Sequence, residues 1–217
     1  MIIVYRNLCR NYEKQTKFSL FPIDITRNFW YSKSTLLPCS FDVSKRIAAN
    51  GKGVQLMTIF KKLFGKKYDE FCAPMAGKAV AISEVPDPTF AEGMLGNGIA
   101  IEPAEGKVYA PCDATVDMMF TTGHAVSLVA DCGAEILIHV GLETVGLEGK
   151  PFTVHVKDGD KVKKGQLLIE ADLDAIKAAG LPIITPMVIC NTDAYTTFNT
   201  HVGKNVTNAD VVIELAK

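Results

Sequence analysis

The sequence predicts an all-β protein: an antiparallel sandwich or barrel of short strands, with one or two short helices and an irregular N-terminal segment. Three observations predict it. After residue 74, Val- and Ile-rich runs recur at close intervals, and several alternate apolar with polar residues as half-buried strands do. Turn signals separate the runs: Gly96-Asn97-Gly98, Pro103-Ala104-Glu105-Gly106, Asp131-Cys132-Gly133, Asp158-Gly159-Asp160 and Asn208-Ala209-Asp210. Only 172–179 reads as helix within this part, closed by Gly180 and then Pro182. The expected strands are 78–83, 99–102, 114–120, 125–130, 135–140, 152–156, 166–170, 187–190 and 211–215. Many short strands with little helix bury their apolar faces by closing into a sandwich or barrel.

Composition excludes several function classes. With 48% hydrophobic and 22% charged residues, the 217-residue chain is globular, with room for one well-packed domain and an appendage. A formal net charge of −1 gives no reason to expect a nucleic-acid partner. No apolar run approaches the roughly 20 residues a membrane span requires. The start, Met1-Ile2-Ile3-Val4-Tyr5-Arg6, lacks the basic-then-apolar order of a secretory signal. Six cysteines without a CxxC pair read as reduced thiols, so the expected location is cytoplasmic.

The chain has a seam. Residues 1–56 hold 9 basic and 3 acidic residues and only 2 of the 17 glycines, with no persistent apolar period. They read either as a basic arm against an anionic surface or as sequence upstream of a true start at Met57. The second is favoured, because Lys52-Gly53-Val54 can be encoded by a purine-rich, ribosome-binding stretch. Residues 57–70 form a second segment. Within 57–67, Ile59, Phe60, Leu63 and Phe64 fall at helical spacing among four lysines. That stretch is either a weak membrane-surface contact or an ordinary solvated tail. The working domain is 71–217.

Two histidines carry the chemistry. His124 follows Phe120-Thr121-Thr122-Gly123 and opens strand 125–130, and His139 closes the run Glu135-Ile136-Leu137-Ile138. The Asp131-Cys132-Gly133 turn makes these strands natural hairpin neighbours, which allows both imidazoles to face one another. A single strand histidine is more often a satisfied, partly buried side chain, but a pair beside glycines is a better candidate site. With an unperturbed pKa of about 6.5, a neutral imidazole offers a nucleophilic ring nitrogen at neutral pH. Attack on phosphorus gives a phosphohistidine, and a neighbouring N–H and a threonine hydroxyl stabilise the phosphoryl oxygens. His155 and His201 have no comparable companions and read as structural. Two histidines fall short of the three or four ligands of a stable zinc site, so neither metal nor other cofactor is expected.

The motifs around these histidines carry a resemblance. In order they are Ala73-Pro74-Met75-Ala76-Gly77, 85–92, 96–103, Thr122-Gly123-His124-Ala125, 138–145 and 181–191. From about Phe71 to Lys217 the chain resembles the glucose-family IIA domain of the bacterial phosphoenolpyruvate-dependent sugar phosphotransferase system. Residues 1–56 have no counterpart in it. The resemblance implies that His139 accepts a phosphoryl group on Nε2 from the phosphocarrier HPr. It implies that His124, supported by Thr122, is needed to pass the group to a cysteine of a IIB domain in a IIB/IIC sugar permease. Asp87 and Glu143 match acidic positions that meet basic residues on partners. Phe90, Met94, Leu95, Phe120, Leu137 and Val145 fall where the family has an apolar ring around the site. Regulatory targets of the unphosphorylated form are implied for some members.

Two alternatives belong to other classes. Residues 156–168 and 73–78 resemble text of biotinyl and lipoyl carrier domains, which need a lysine at a hairpin tip in a pattern not found here. The Gly-Asp-x-Val text also resembles LytM-like zinc endopeptidases, whose His-x-His and His-x-x-x-Asp ligand pairs are missing.

Overall fold

The structure is a computed structural model and describes residues 68–217. The expected N-terminal arm 1–56 and the amphipathic stretch 57–67 lie outside the described residues. Fourteen strands run β1 (Asp69–Cys72), β2 (Gly77–Ala81), β3 (Asn97–Pro103), β4 (Lys107–Tyr109), β5 (Ala114–Met119), β6 (Ala125–Ala130) and β7 (Glu135–His139), then β8 (Phe152–Val154), β9 (Lys161–Val162), β10 (Leu167–Ala171), β11 (Thr185–Ile189), β12 (Thr197–Thr200), β13 (Lys204–Val206) and β14 (Val211–Ala216). Among the described residues there are two short α-helices, α1 (Pro88–Ala91) and α2 (Leu173–Ala178), and three short 3-10 turns. Every pairing is antiparallel.

One eight-stranded sheet has the order β13-β2-β3-β11-β7-β6-β5-β9, and two three-stranded sheets have the orders β1-β14-β12 and β4-β10-β8. This is the expected all-β class. The main core unites all three sheets through Phe71, Val108, Leu168 and Ile213 against Ile99, Ile101, Leu128, Ile136, Ile138 and Met187 of the large sheet.

The central strands are covered on both faces, which the expectation of half-buried strands had not included. Along β7, Ile136 and Ile138 enter the main core while Leu137 enters a second, smaller cluster on the opposite face. That cluster joins Val80, Ala100, Ala125 and Val188 of the sheet to Val85, Phe90 and Leu95, all from the excursion between β2 and β3. The excursion holds its shape through α1, whose N-cap Asp87 accepts a bond from the Thr89 amide at 2.8 Å. Helix α2 is capped the same way, with Asp172 accepting from Asp174 and Ala175.

Five strands fall outside the expected set: β1, β4, β9, β12 and β13. They run from two to four residues, too short to display an alternation. β1 also begins two residues ahead of the expected boundary at 71.

Candidate active site

Strand pairing builds the site. β6 and β7 pair in the register that sets Ala125 opposite His139 and Ser127 opposite Leu137. His139 therefore points to the face of the second cluster, beside Leu137 two residues back. The residue opposite it is only an alanine, which leaves room for a second ring.

His124 fills that room. It stands just before β6, where strict alternation would turn its side chain away from Ala125. The turn ahead of it breaks that alternation. Gly123 takes φ +66, and a Cβ there would sit 2.8 Å from Val154 Cγ2, so the tight approach needs glycine. The two imidazoles consequently meet edge to face, with centroids 4.8 Å apart and planes at 75°. The Val140 amide donates to the His124 carbonyl at 2.8 Å, tying the two histidine segments together.

Each ring has its Nδ1 occupied. His139 Nδ1 lies 2.7 Å from the Gly141 carbonyl, an acceptor only, so Nδ1 carries the proton and Nε2 keeps its lone pair. His124 Nδ1 lies 2.5 Å from Thr122 Oγ1. His124 Nε2 is buried with no hydrogen-bond partner. Burial holds the His139 pKa below its ordinary value, against the Gly141 hydrogen bond and the charge of Asp87, which both raise it. Burial, and then the neighbouring His139, push His124 down to about 4. Both rings are neutral near pH 7.

The residues expected around the pair divide by depth. The Phe90 ring meets His139 edge-on at 5.6 Å, and the Phe120 ring meets His124 at 5.3 Å. Phe90, Leu95 and Leu137 are buried in the second cluster, Phe120 and Val145 are half-buried, and Met94 is 49% exposed. The ring is thus a buried lining with a thin outer rim. Asp87 is half-buried and caps α1, whereas Glu143 is exposed on the loop after β7. His155 and His201 lie elsewhere, paired with Glu170 and Glu214 at 3.3 Å each.

Sequence reasoning missed Gly141. It has φ +68, and a Cβ there would meet Thr144 Cγ2 at 2.7 Å and the Pro182 carbonyl at 2.9 Å. A glycine two residues beyond a strand-terminal histidine was the available signal, because a carbonyl at that distance can turn back onto the ring only through a sharp bend.

Among the described residues no group of three or more His, Cys, Asp or Glu side chains is placed to hold a metal ion, and no helix is long and apolar enough to cross a membrane. No disulfide joins any two of the described cysteines, Cys72, Cys112, Cys132 and Cys190.

Comparison with known proteins places the chain in a family. Residues 69–195 match the family described as phosphoenolpyruvate-dependent sugar phosphotransferase system, EIIA 1. The glucose-specific EIIA component of Bacillus anthracis is 46% identical over 159 residues, covering 71% of this chain and 96% of that protein. The β-glucoside-specific EIIBCA component of Bacillus subtilis (strain 168) is 51% identical over 123 residues, or 57% of this chain, which spans only 20% of that longer relative. The solved glucose permease IIA from Mycoplasma capricolum superposes with a TM-score of 0.65 at 33% identity, covering 70% of this chain and 97% of that one. The biotinyl or lipoyl carrier and the zinc endopeptidase are not favoured by any of these matches. The chain belongs to the EIIA 1 family of the phosphoenolpyruvate-dependent sugar phosphotransferase system, as a phosphocarrier of the glucose type.

Proposed function

We propose that His139 is the phosphoryl acceptor and His124 the residue that steadies the group for its onward transfer. The observation that carries the reading is the Gly141 carbonyl at 2.7 Å from His139 Nδ1, with the unpartnered His124 Nε2 on a ring 4.8 Å away. The His139 Nε2 lone pair attacks the phosphorus of phospho-HPr. The N–P bond to His139 forms as the donor's N–P bond breaks, and the donor nitrogen recovers its lone pair. The positive charge that develops on His139 is met by the carbonyl dipole of Gly141.

With the Thr122 hydroxyl donating to His124 Nδ1, the His124 proton sits on Nε2. A phosphoryl oxygen then supplies the acceptor that this buried donor lacks. In the onward step a cysteine thiolate of a IIB domain attacks the same phosphorus, the S–P bond forming as the His139 Nε2–P bond breaks and Nε2 recovers its lone pair. Phe90 and Phe120 exclude water, which protects the phosphohistidine from hydrolysis.

At 2% and 3% exposure the two rings offer little surface, so a donor reaches them only where the rim yields. Met94 is exposed and Phe120 and Val145 are half-buried, while Phe90, Leu95 and Leu137 form the floor beneath them. Glu143, and Asp87 behind its capping role, steer basic partners toward the rim. The relatives' names carry different sugars, so the sugar is set by the IIB/IIC permease that this protein serves in the cytoplasm. Regulatory targets would read the same face.

Transfer assays test the division of labour. With phosphoenolpyruvate, enzyme I and HPr, the protein gains one acid-labile, base-stable phosphoryl group by mass. His139→Ala abolishes the gain. His124→Ala retains it but loses donation to IIB. Equal loss of both steps in His124→Ala, or labelling of a lysine, would overturn the assignment.

A further inference from the structure

The loop after His139 is held in an unusual way. Two successive peptide planes are each anchored at both ends by groups outside them. In the first, the Val140 carbonyl accepts the Thr144 hydroxyl at 2.7 Å, and the Gly141 amide donates to Thr185 Oγ1 at 3.5 Å. In the second, the Gly141 carbonyl takes the His139 Nδ1–H, and the Leu142 amide donates to the Pro182 carbonyl at 2.9 Å. Thr144 and Thr185 are fully buried at 0% exposure, uncommon for polar side chains unless their hydroxyls are used. Thr185 donates its own proton to the Ile183 carbonyl at 3.0 Å, so its oxygen is left to accept from Gly141.

The loop also holds strained backbone. Glu143 adopts φ +58 without being glycine, and Gly141 at φ +68 is packed against the Thr144 methyl. Left-handed backbone outside glycine costs about 1–2 kcal/mol and persists only where the surroundings enforce it. Thr144 enforces it from two sides, by its hydroxyl on Val140 and its methyl against Gly141.

We infer that Thr144 and Thr185 are positioning residues that fix the tautomer of His139 by holding the Gly141 carbonyl in line with Nδ1. The inference rests on the assignment of His139 as acceptor. Only the Nδ1–H tautomer leaves Nε2 with a lone pair to attack phosphorus. A Gly141 carbonyl that swings away lets the proton move to Nε2, which blocks attack there and exposes Nδ1 instead. Neither threonine touches the reacting atoms.

The test uses Thr144→Val and Thr185→Val, which keep the shape and delete the hydroxyls, with Thr144→Ser and Thr185→Ser restoring the oxygen. The ring nitrogens of unphosphorylated, 15N-labelled protein are read by NMR at pH 7.5. Wild type shows His139 wholly as the Nδ1–H tautomer. Each valine variant shows a measurable Nε2–H population, accepts phosphoryl from HPr about tenfold more slowly, and carries part of the product on Nδ1. The serine variants, which keep the hydroxyl and lose the methyl, stay predominantly Nδ1–H, and a folded serine variant with a largely Nε2–H His139 would overturn the hydroxyls' role even if a valine variant does not fold. Folded valine variants with an unchanged tautomer and unchanged acceptance would overturn the inference and leave the His139 assignment intact. Valine variants with a shifted tautomer, in a protein whose His139 is never phosphorylated, would leave the positioning role standing and remove the proposed function.

Discussion

At the residue scale the site depends on keeping two imidazoles neutral in a buried space. His124 has a folded-state pKa of about 4 against an ordinary value near 6.5. Above pH 6.5 both folded and unfolded forms are neutral there, and the group leaves stability unchanged. Between pH 6.5 and 4 the unfolded chain takes up a proton that the folded ring refuses, so stability falls as the pH falls. The loss reaches about 3 kcal/mol by pH 4, and the lowered His139 adds to it in the same direction. Urea unfolding at several pH values should show His124→Gln with a shallower decline over this window than wild type. An identical decline would mean that His124 is not the group resisting protonation. The pair was legible in the sequence because each histidine borders a strand beside a turn. Their mutual approach was not fully legible, since it depends on Gly123 breaking the alternation that strands otherwise impose.

At the element scale, β6 and β7 decide where the rings sit, and the small side chain opposite His139 decides that two of them fit. Ala125→Leu forces three extra carbons into a fully buried position beside both rings. It should cost about 1–3 kcal/mol in thermal or urea unfolding and slow phosphoryl acceptance by displacing His139. Full acceptance with normal stability would show that the rings have slack. Leu137→Ala removes a side chain of the second cluster, with an expected loss of about 2–5 kcal/mol. Its acceptance rate, measured where the variant is still folded, separates floor from docking contact: a floor residue loses stability first. The runs on β5, β6, β7 and β11 were readable because apolar residues dominate them. The two-residue β9 and the polar β12 and β13 were not, because their pairing is imposed by neighbours rather than by their own pattern. The second cluster was hidden for a related reason. Continuous burial in β11 shows that both faces are covered but does not show what covers them.

At the scale of the whole molecule, the large sheet separates stability from chemistry. Its one face meets the two small sheets in the main core, and its other face carries the histidines under the excursion between β2 and β3. Met94, Val145 and Glu143 lie outside the main core, so on the proposed reading changes there alter partner choice without disturbing it. Met94→Glu places a charge on the exposed part of the rim and should weaken transfer from HPr through KM, with melting temperature unchanged. A drop in stability instead would make Met94 part of the packing. The phosphocarrier class was legible from ordered motifs along the chain. Depth was not, because a sequence does not tell an exposed apolar ring from a buried one. The central claim is tested most directly by 31P and 15N NMR of the protein phosphorylated by HPr. The account predicts a single phosphorus bonded to Nε2 of His139, and phosphorus on Nδ1 of His139 or on His124 would contradict it.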